Sequence, residues 1–193
     1  EEHEDDLLRM GGVAEGDLYQ DTFETTKARF RWLLINLGTA ILASSVIAMF
    51  EATIDQIVAL AVLMPIVASM GGNAGTQTLT VSVRALAMRQ LNRRNAMRIL
   101  WKEVAVGGIN GFLFAVIAGV LAGAWFGDPI LGGVIASAMI INMVIAGFFG
   151  VSIPLALDRF KIDPAVASSV LLTTITDVVG FFAFLGLAWA FLI

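Results

Sequence analysis

The chain has 193 residues, is 58% hydrophobic and only 15% charged, and its mean hydropathy of +0.85 excludes an ordinary soluble domain of that length. With no cysteine and a single histidine, His3, it can build neither a disulfide framework nor a thiolate metal site, and imidazole is confined to the N-terminal tail. The net charge of −4 averages two unlike regions, since residues 1–26 hold nine acidic residues against one arginine and the remainder carries +4.

Residues 1–26 are polar, acidic and interrupted by Gly11, Gly12 and Gly16, which predicts a linker with a short helix or two. They show no basic segment followed by an apolar core and so do not read as a signal peptide. The acidic run is either a solvated face or a regulatory cation-binding surface. A first apolar span is predicted over about 30–50, introduced by Lys27, Arg29, Arg31 and Trp32 as an interfacial anchor and followed by Glu51 and Asp55. The second covers about 56–88. It carries Pro65 and the glycines at 71, 72 and 75, and a bent or partly unwound helix is expected there. Spans over about 99–126, 130–157 and 164–192 follow, the third and fourth joined by a tight Gly127-Asp128-Pro129 turn and the fourth and fifth by Asp158-Arg159-Phe160-Lys161. The expected fold is therefore all-α, a polytopic membrane protein with five transmembrane helices per subunit.

Charge predicts the orientation. All 12 Lys and Arg residues lie in the N-terminal tail, around the turn after the second span, or at the turn after the fourth, and the other side shows only Glu51, Asp55 and Asp128. The positive-inside rule then puts the N-terminus in the cytoplasm and the C-terminus outside, in the plasma (inner) membrane.

Two stretches carry chemistry. Asp177 stands about 20 Å along the fifth span from Pro164, near mid-bilayer, where an isolated charge costs about 2.5–3.5 kcal/mol and function is the default reading. Ser169, Thr173, Thr176, Asp177 and Gly180 recur at helical spacing and predict a polar stripe lining an aqueous path. In the second span, the text from Ser69 to Thr78 (SMGGNAGTQT) combines Gly71, Gly72 and Gly75 with Asn73, Thr76 and Gln77. Taken alone it fits either close helix packing or a wet, ion-facing segment. Asn110 and Asn142 predict interhelical hydrogen bonds, Glu103 a pair with a neighbouring cation, and Met64 and Met70 packing. Trp101, Trp125 and Trp189 predict belt positions near span ends.

The segments PIVASMGGNAGTQTLTVSVRALA, from Pro65 to Ala87, and TTITDVVGFFAF, at 173–184, closely resemble the transmembrane domain of the MgtE family of magnesium channels. The resemblance extends over nearly the whole chain from about residue 27. It implies a homodimer with the pore on the two-fold axis, built from the second and fifth helices of both subunits. It further implies that Asp177 holds hydrated Mg2+, the transported ion, that Asn73 faces the pore, and that Thr173 offers a backbone carbonyl. Gly71, Gly72, Thr76, Gln77, Ser169, Thr176 and Gly180 are then candidates for the pore lining. Ser169 stands further toward the cytoplasmic mouth, where a member of the family has asparagine, a difference that bears on a second, inner cation site. Family members carry cytoplasmic regulatory domains, and residues 1–26 would be the connecting helix and its approach.

The residues agree with that chemistry. Mg2+ takes oxygen ligands and gives up its waters reluctantly, so one or two carboxylates and several retained waters are its usual company. Two alternatives stay open: a carrier coupling Mg2+ to H+ or Na+, and a non-conducting membrane scaffold dimerised by its polar helices. An intramembrane aspartyl protease would need a second mid-membrane aspartate, and a rhomboid-like protease a membrane histidine. No nucleotide-binding motif supports a pump, and the basic residues are explained by topology rather than by nucleic acid.

Overall fold

A computed structural model describes residues 21–92 and 94–193. The acidic segment 1–20 and Arg93 lie outside these residues. All regular structure among the described residues is helical: α1 (Thr22–Ala48), α2 (Glu51–Gln56), α3 (Ala59–Ala87), α4 (Ala96–Phe126), α5 (Pro129–Arg159) and α6 (Pro164–Leu192). All but the six-residue α2 are long and apolar enough to cross a membrane.

Local chemistry sets the helix ends. Gly127 closes α4 in the left-handed region at φ 68°, where a side chain is disfavoured. Asp128 then caps α5, its Oδ1 accepting from the amides of Ile130 (2.8 Å) and Leu131 (3.2 Å), with Pro129 at the first helical position. Asp163 and Pro164 repeat this device at α6, where Asp163 Oδ1 accepts from Ala165 N at 2.9 Å. The helix that carries the first span begins before the apolar stretch. α1 is helical from Thr22, and Thr26 ties back to the Thr22 carbonyl at 2.7 Å, so the polar approach and the apolar span form one rod.

Of the two alternatives for the second span, partial unwinding is overturned: every residue from Ala59 to Ala87 is α-helical, Pro65 and all three glycines included. In hydrocarbon a broken turn would strand amides and carbonyls, so the helix keeps its own bonds. Gly71 and Gly75 instead admit neighbouring side chains, those of Asn142 and Leu172 respectively.

The hub is α5. More than half of its apolar window (56%) is buried within the chain, against 6% for α1, which packs chiefly on α6. α5 contacts α4 along its length, α6 and α3. The α4–α5 seam is made by small residues: a Cβ added at Gly107 would stand 2.5 Å from the Met143 carbonyl oxygen, and one at Gly132 would stand 2.5 Å from the Gly119 carbonyl oxygen. Backbones this close gain dispersion contacts that lipid cannot match, since lipid tails are as apolar as Leu. On the other side of the hub, Leu60, Leu63 and Val67 of α3 cluster with Phe184, Leu185 and Ala188 of α6, while Leu79 and Val83 cluster with Ala165 and Leu172. α3 and α6 are thus antiparallel neighbours. Large exposed apolar side chains cover the outside of α1 and α4, as lipid contact requires, and Trp101, Trp125 and Trp189 stand exposed near helix ends. Met64 and Met70 pack against apolar clusters.

Candidate functional site

The antiparallel register of α3 and α6 sets the depth of the two predicted motifs. Leu172 lies against Gly75, and the Asn142 side chain of α5 touches both Gly71 and Gly180. Between those two anchor points α6 runs from 172 to 180 as α3 runs from 75 to 71. Asp177 and Asn73 therefore stand at the same depth, within about one helical turn.

Asp177 is half-buried and makes no hydrogen bond or ion pair with another described residue. One turn towards Pro164, Thr173 is exposed, and Ser169 one turn further is half-buried, so this stripe faces away from the hub. The predicted stripe divides here. Thr176 is fully buried, its hydroxyl donating to the carbonyls of Leu172 and Thr173 at 3.1 Å, and Gly180 is buried against Asn142. A step of about 100° per residue separates Thr176 from Asp177, enough to put the two on different sides of the helix. On α3, Asn73, Thr76 and Gln77 are exposed, Gly72 is half-buried with open space beside it, and Gly71 is buried. Gly71 and Gly180 are thus contact points between helices within the chain.

The threonine hydroxyls along the open stripes are committed locally. Thr173 Oγ1 donates to the Ser169 carbonyl (2.9 Å), Thr76 Oγ1 to the Gly72 carbonyl (2.8 Å) and Thr80 Oγ1 to the Thr76 carbonyl (2.8 Å). Asn73 Nδ2 makes a long contact, 3.4 Å, to Ser69 Oγ. Each leaves oxygen lone pairs outward, so the stripes present acceptors.

Asn142 holds the two helices together. It is fully buried, and its Nδ2 donates to the Val67 carbonyl of α3 at 2.9 Å, the interhelical bond expected of it. Its Oδ1 has no partner among the described residues. A cleft of about 590 Å³ opens between α3 and α4, lined by Asn73, Gln77, Thr78, Glu103 and Asn110 among others. Glu103 pairs with Lys102 (3.4 Å), as expected, and also receives a hydrogen bond from Thr78 (3.1 Å), a contact that no residue pattern signals. Among the described residues no three His, Cys, Asp or Glu side chains converge.

A family model described as a divalent cation transporter, MgtE, matches residues 64–187, which contain both stripes and the hub. The chain belongs to the MgtE family. Its relatives include proteins named magnesium transporter MgtE from Bacillus subtilis, 35% identical over 164 residues, and Thermus thermophilus, 33% identical over 189 residues. These alignments cover 85% and 95% of this chain but 36% and 41% of the relatives. A third relative of that name, from Enterococcus faecalis, is 30% identical over 187 residues. The chain thus spans about two fifths of the length of the MgtE proteins it matches. Among the described residues the chain is a multi-pass, all-helical membrane domain with five candidate spans, and all but the first, α1, fall largely within the matched region.

Proposed function

We propose that the chain is the pore-forming part of a magnesium channel, in which two copies pass hydrated Mg2+ between their α3 and α6 helices. The observation that carries the reading is Asp177: a half-buried carboxylate near the middle of a membrane helix, unpaired among the described residues, at the depth of Asn73 on the neighbouring helix. In lipid it would cost about 2.5–3.5 kcal/mol, so it belongs against protein or water. One chain offers a single such carboxylate and leaves its stripe uncovered. A two-fold axis beside α3 and α6 brings in a second Asp177 and encloses both.

The acceptor-rich stripes suit a hydrated cation. Mg2+ holds its waters in an octahedron at about 2.1 Å, and those waters point only hydrogens outward. Carboxylate oxygens of Asp177, the Asn73 amide oxygen and threonine oxygens whose protons are already committed would receive those hydrogens without stripping the ion. Two carboxylates in a low-dielectric wall favour a divalent over a monovalent ion. The role of Thr173 is carried by its backbone carbonyl and that of Ser169, Thr76, Gln77 and Gly72 by position along the path. Thr176, Gly71 and Gly180 act from behind it, by fixing the helices.

The basic end of the bundle, with Arg84, Arg98 and Arg159, faces the cytoplasm in this reading, and Mg2+ enters down its electrochemical gradient. The region N-terminal to α1 connects to regulatory parts of a longer protein, in keeping with the greater length of the relatives. Mg2+ flux into liposomes, with and without a pH gradient, tests the reading. Flux independent of the gradient and reduced at least tenfold by Asp177→Asn is expected for a channel with this carboxylate at its centre. Flux that requires a proton or sodium gradient would make the protein a coupled carrier, and flux unaffected by the substitution would remove Asp177 from the path.

A further inference from the structure

We propose that Glu103 is a positioning residue, tying α4 to α3 through Thr78 and so fixing where Asn73 and Gln77 stand beside the ion path. The proposal rests on the reading that the open face of α3 lines that path. α3 and α4 follow each other in sequence, yet they scarcely meet across the membrane, and the cleft of about 590 Å³ lies between them. Held by α5 and α6 on one side, α3 has on its α4 side one side-chain hydrogen bond among the described residues, from Thr78 Oγ1 to Glu103 Oε2 at 3.1 Å.

Three observations mark this bond as built rather than incidental. Thr78 and Glu103 are both buried, 7% and 9% exposed, so neither water nor lipid headgroups replace the bond easily. Both residues lie in notches on α5. A Cβ at Gly147 would stand 2.6 Å from the Glu103 carbonyl oxygen, and one at Gly150 would stand 2.7 Å from Thr78 Cγ2. The two glycines, one turn apart, let α3 and α4 sink onto the hub at the same level and bring the hydroxyl within reach of the carboxylate. Thr78 also departs from its neighbours. Thr76 and Thr80 return their protons to the carbonyl four residues earlier, whereas Thr78 sends its proton to another helix. Lys102, its side chain largely exposed, balances the carboxylate from the rim at 3.4 Å.

Asn73 lies five residues and Gln77 one residue from Thr78, so release of the tie displaces the acceptors of α3 relative to Asp177. The test uses the full-length protein in liposomes, with Mg2+ flux normalised to monodisperse protein. Thr78→Val keeps the shape and removes the donor, Glu103→Ala removes the acceptor, and Glu103→Gln keeps an acceptor while losing the charge. Thr78→Val and Glu103→Ala are each expected to raise the half-saturating Mg2+ concentration about three- to tenfold, with the double variant no worse than Glu103→Ala. Glu103→Gln is expected to stay within about twofold of the wild type. A Thr78→Val protein that behaves as wild type overturns the proposal. So does a Glu103→Gln protein as impaired as Glu103→Ala beside a silent Thr78→Val, which would make the charge itself a cation ligand. Loss of monodisperse protein in both, with normal flux per folded molecule, reduces the tie to a folding contact and also overturns it. A wild type lacking Asp177-dependent flux would instead reject the channel reading.

Discussion

The amide of Asn142 occupies space that two glycines leave for it. Gly71 and Gly180 present bare backbone to the same side chain, and any Cβ at either would collide with it. Since Asp177 and Asn73 stand at this depth, the volume of one amide sets how far apart their helices lie. Gly71→Ala alone is expected to destabilise the protein by about 1–3 kcal/mol through overpacking. Asn142→Ala alone is expected to cost a similar amount, by opening a cavity and freeing the Val67 carbonyl from its second partner. The double variant should recover about 1 kcal/mol or more relative to the sum, because the new methyl fills the vacated space. Thermal denaturation of the detergent-solubilised protein measures all three, and strict additivity would show that the residues do not share a site. The sequence announced Asn142 as a polar bridge. It did not show which glycines received it, because Gly71, Gly72 and Gly75 are chemically identical and only the orientation of α3 about its axis tells them apart.

At the scale of elements, α4 and α5 are alike in length, 31 residues each, and both are strongly apolar, yet one is the hub and the other an outer helix. Hydropathy cannot separate them. In water an apolar face points inward, whereas in a bilayer lipid accepts apolar side chains as readily as protein does. What distinguishes their seam is size, which predicts a selective sensitivity. Gly107→Ala would press a methyl onto the Met143 carbonyl, and a loss of about 1–3 kcal/mol is expected, since backbone must move to accommodate it. Gly38→Ala in α1, where a Cβ would meet nothing within 4 Å, should change stability by less than about 0.5 kcal/mol or improve it through helix propensity. Melting curves of the two variants check the contrast, and equal losses would mean that the α4–α5 seam is not limited by backbone approach.

Across the whole molecule, the polar stripes of α3 and α6 remain uncovered, whereas the outer faces of α1 and α4 along their apolar stretches present large apolar side chains. In the two-copy reading Thr173 faces its counterpart across the axis. Because the chain has no cysteine, one introduced thiol reports alone. Thr173→Cys is therefore expected to place two thiolates on the path. Micromolar Cd2+, a soft ion that thiolates prefer, should then block Mg2+ flux until a chelator removes it. Val120→Cys, on the lipid-facing side of α4 with 66% exposure, should conduct normally in Cd2+. A Thr173→Cys protein indifferent to Cd2+ would take α6 off the path.

By itself the sequence determined the five membrane helices, the turns at Gly127-Asp128-Pro129 and Asp158-Arg159-Phe160-Lys161, the separation of charge between the two ends, and the unusual carboxylate at Asp177. Each is a property of local composition, of capping chemistry, or of a charge whose cost in hydrocarbon does not depend on its neighbours. Only the tertiary structure decided that α3 stays helical through its glycines, that α5 is the hub, and that Thr176 and Gly180 turn inward while Thr173 and Asp177 turn out. It also showed Glu103 reaching Thr78, 25 residues away in sequence. These depend on how each helix is rotated against its neighbours, and among apolar helices in lipid that rotation is set by the fit of small residues and a few buried polar groups, which become specific only once the helices touch.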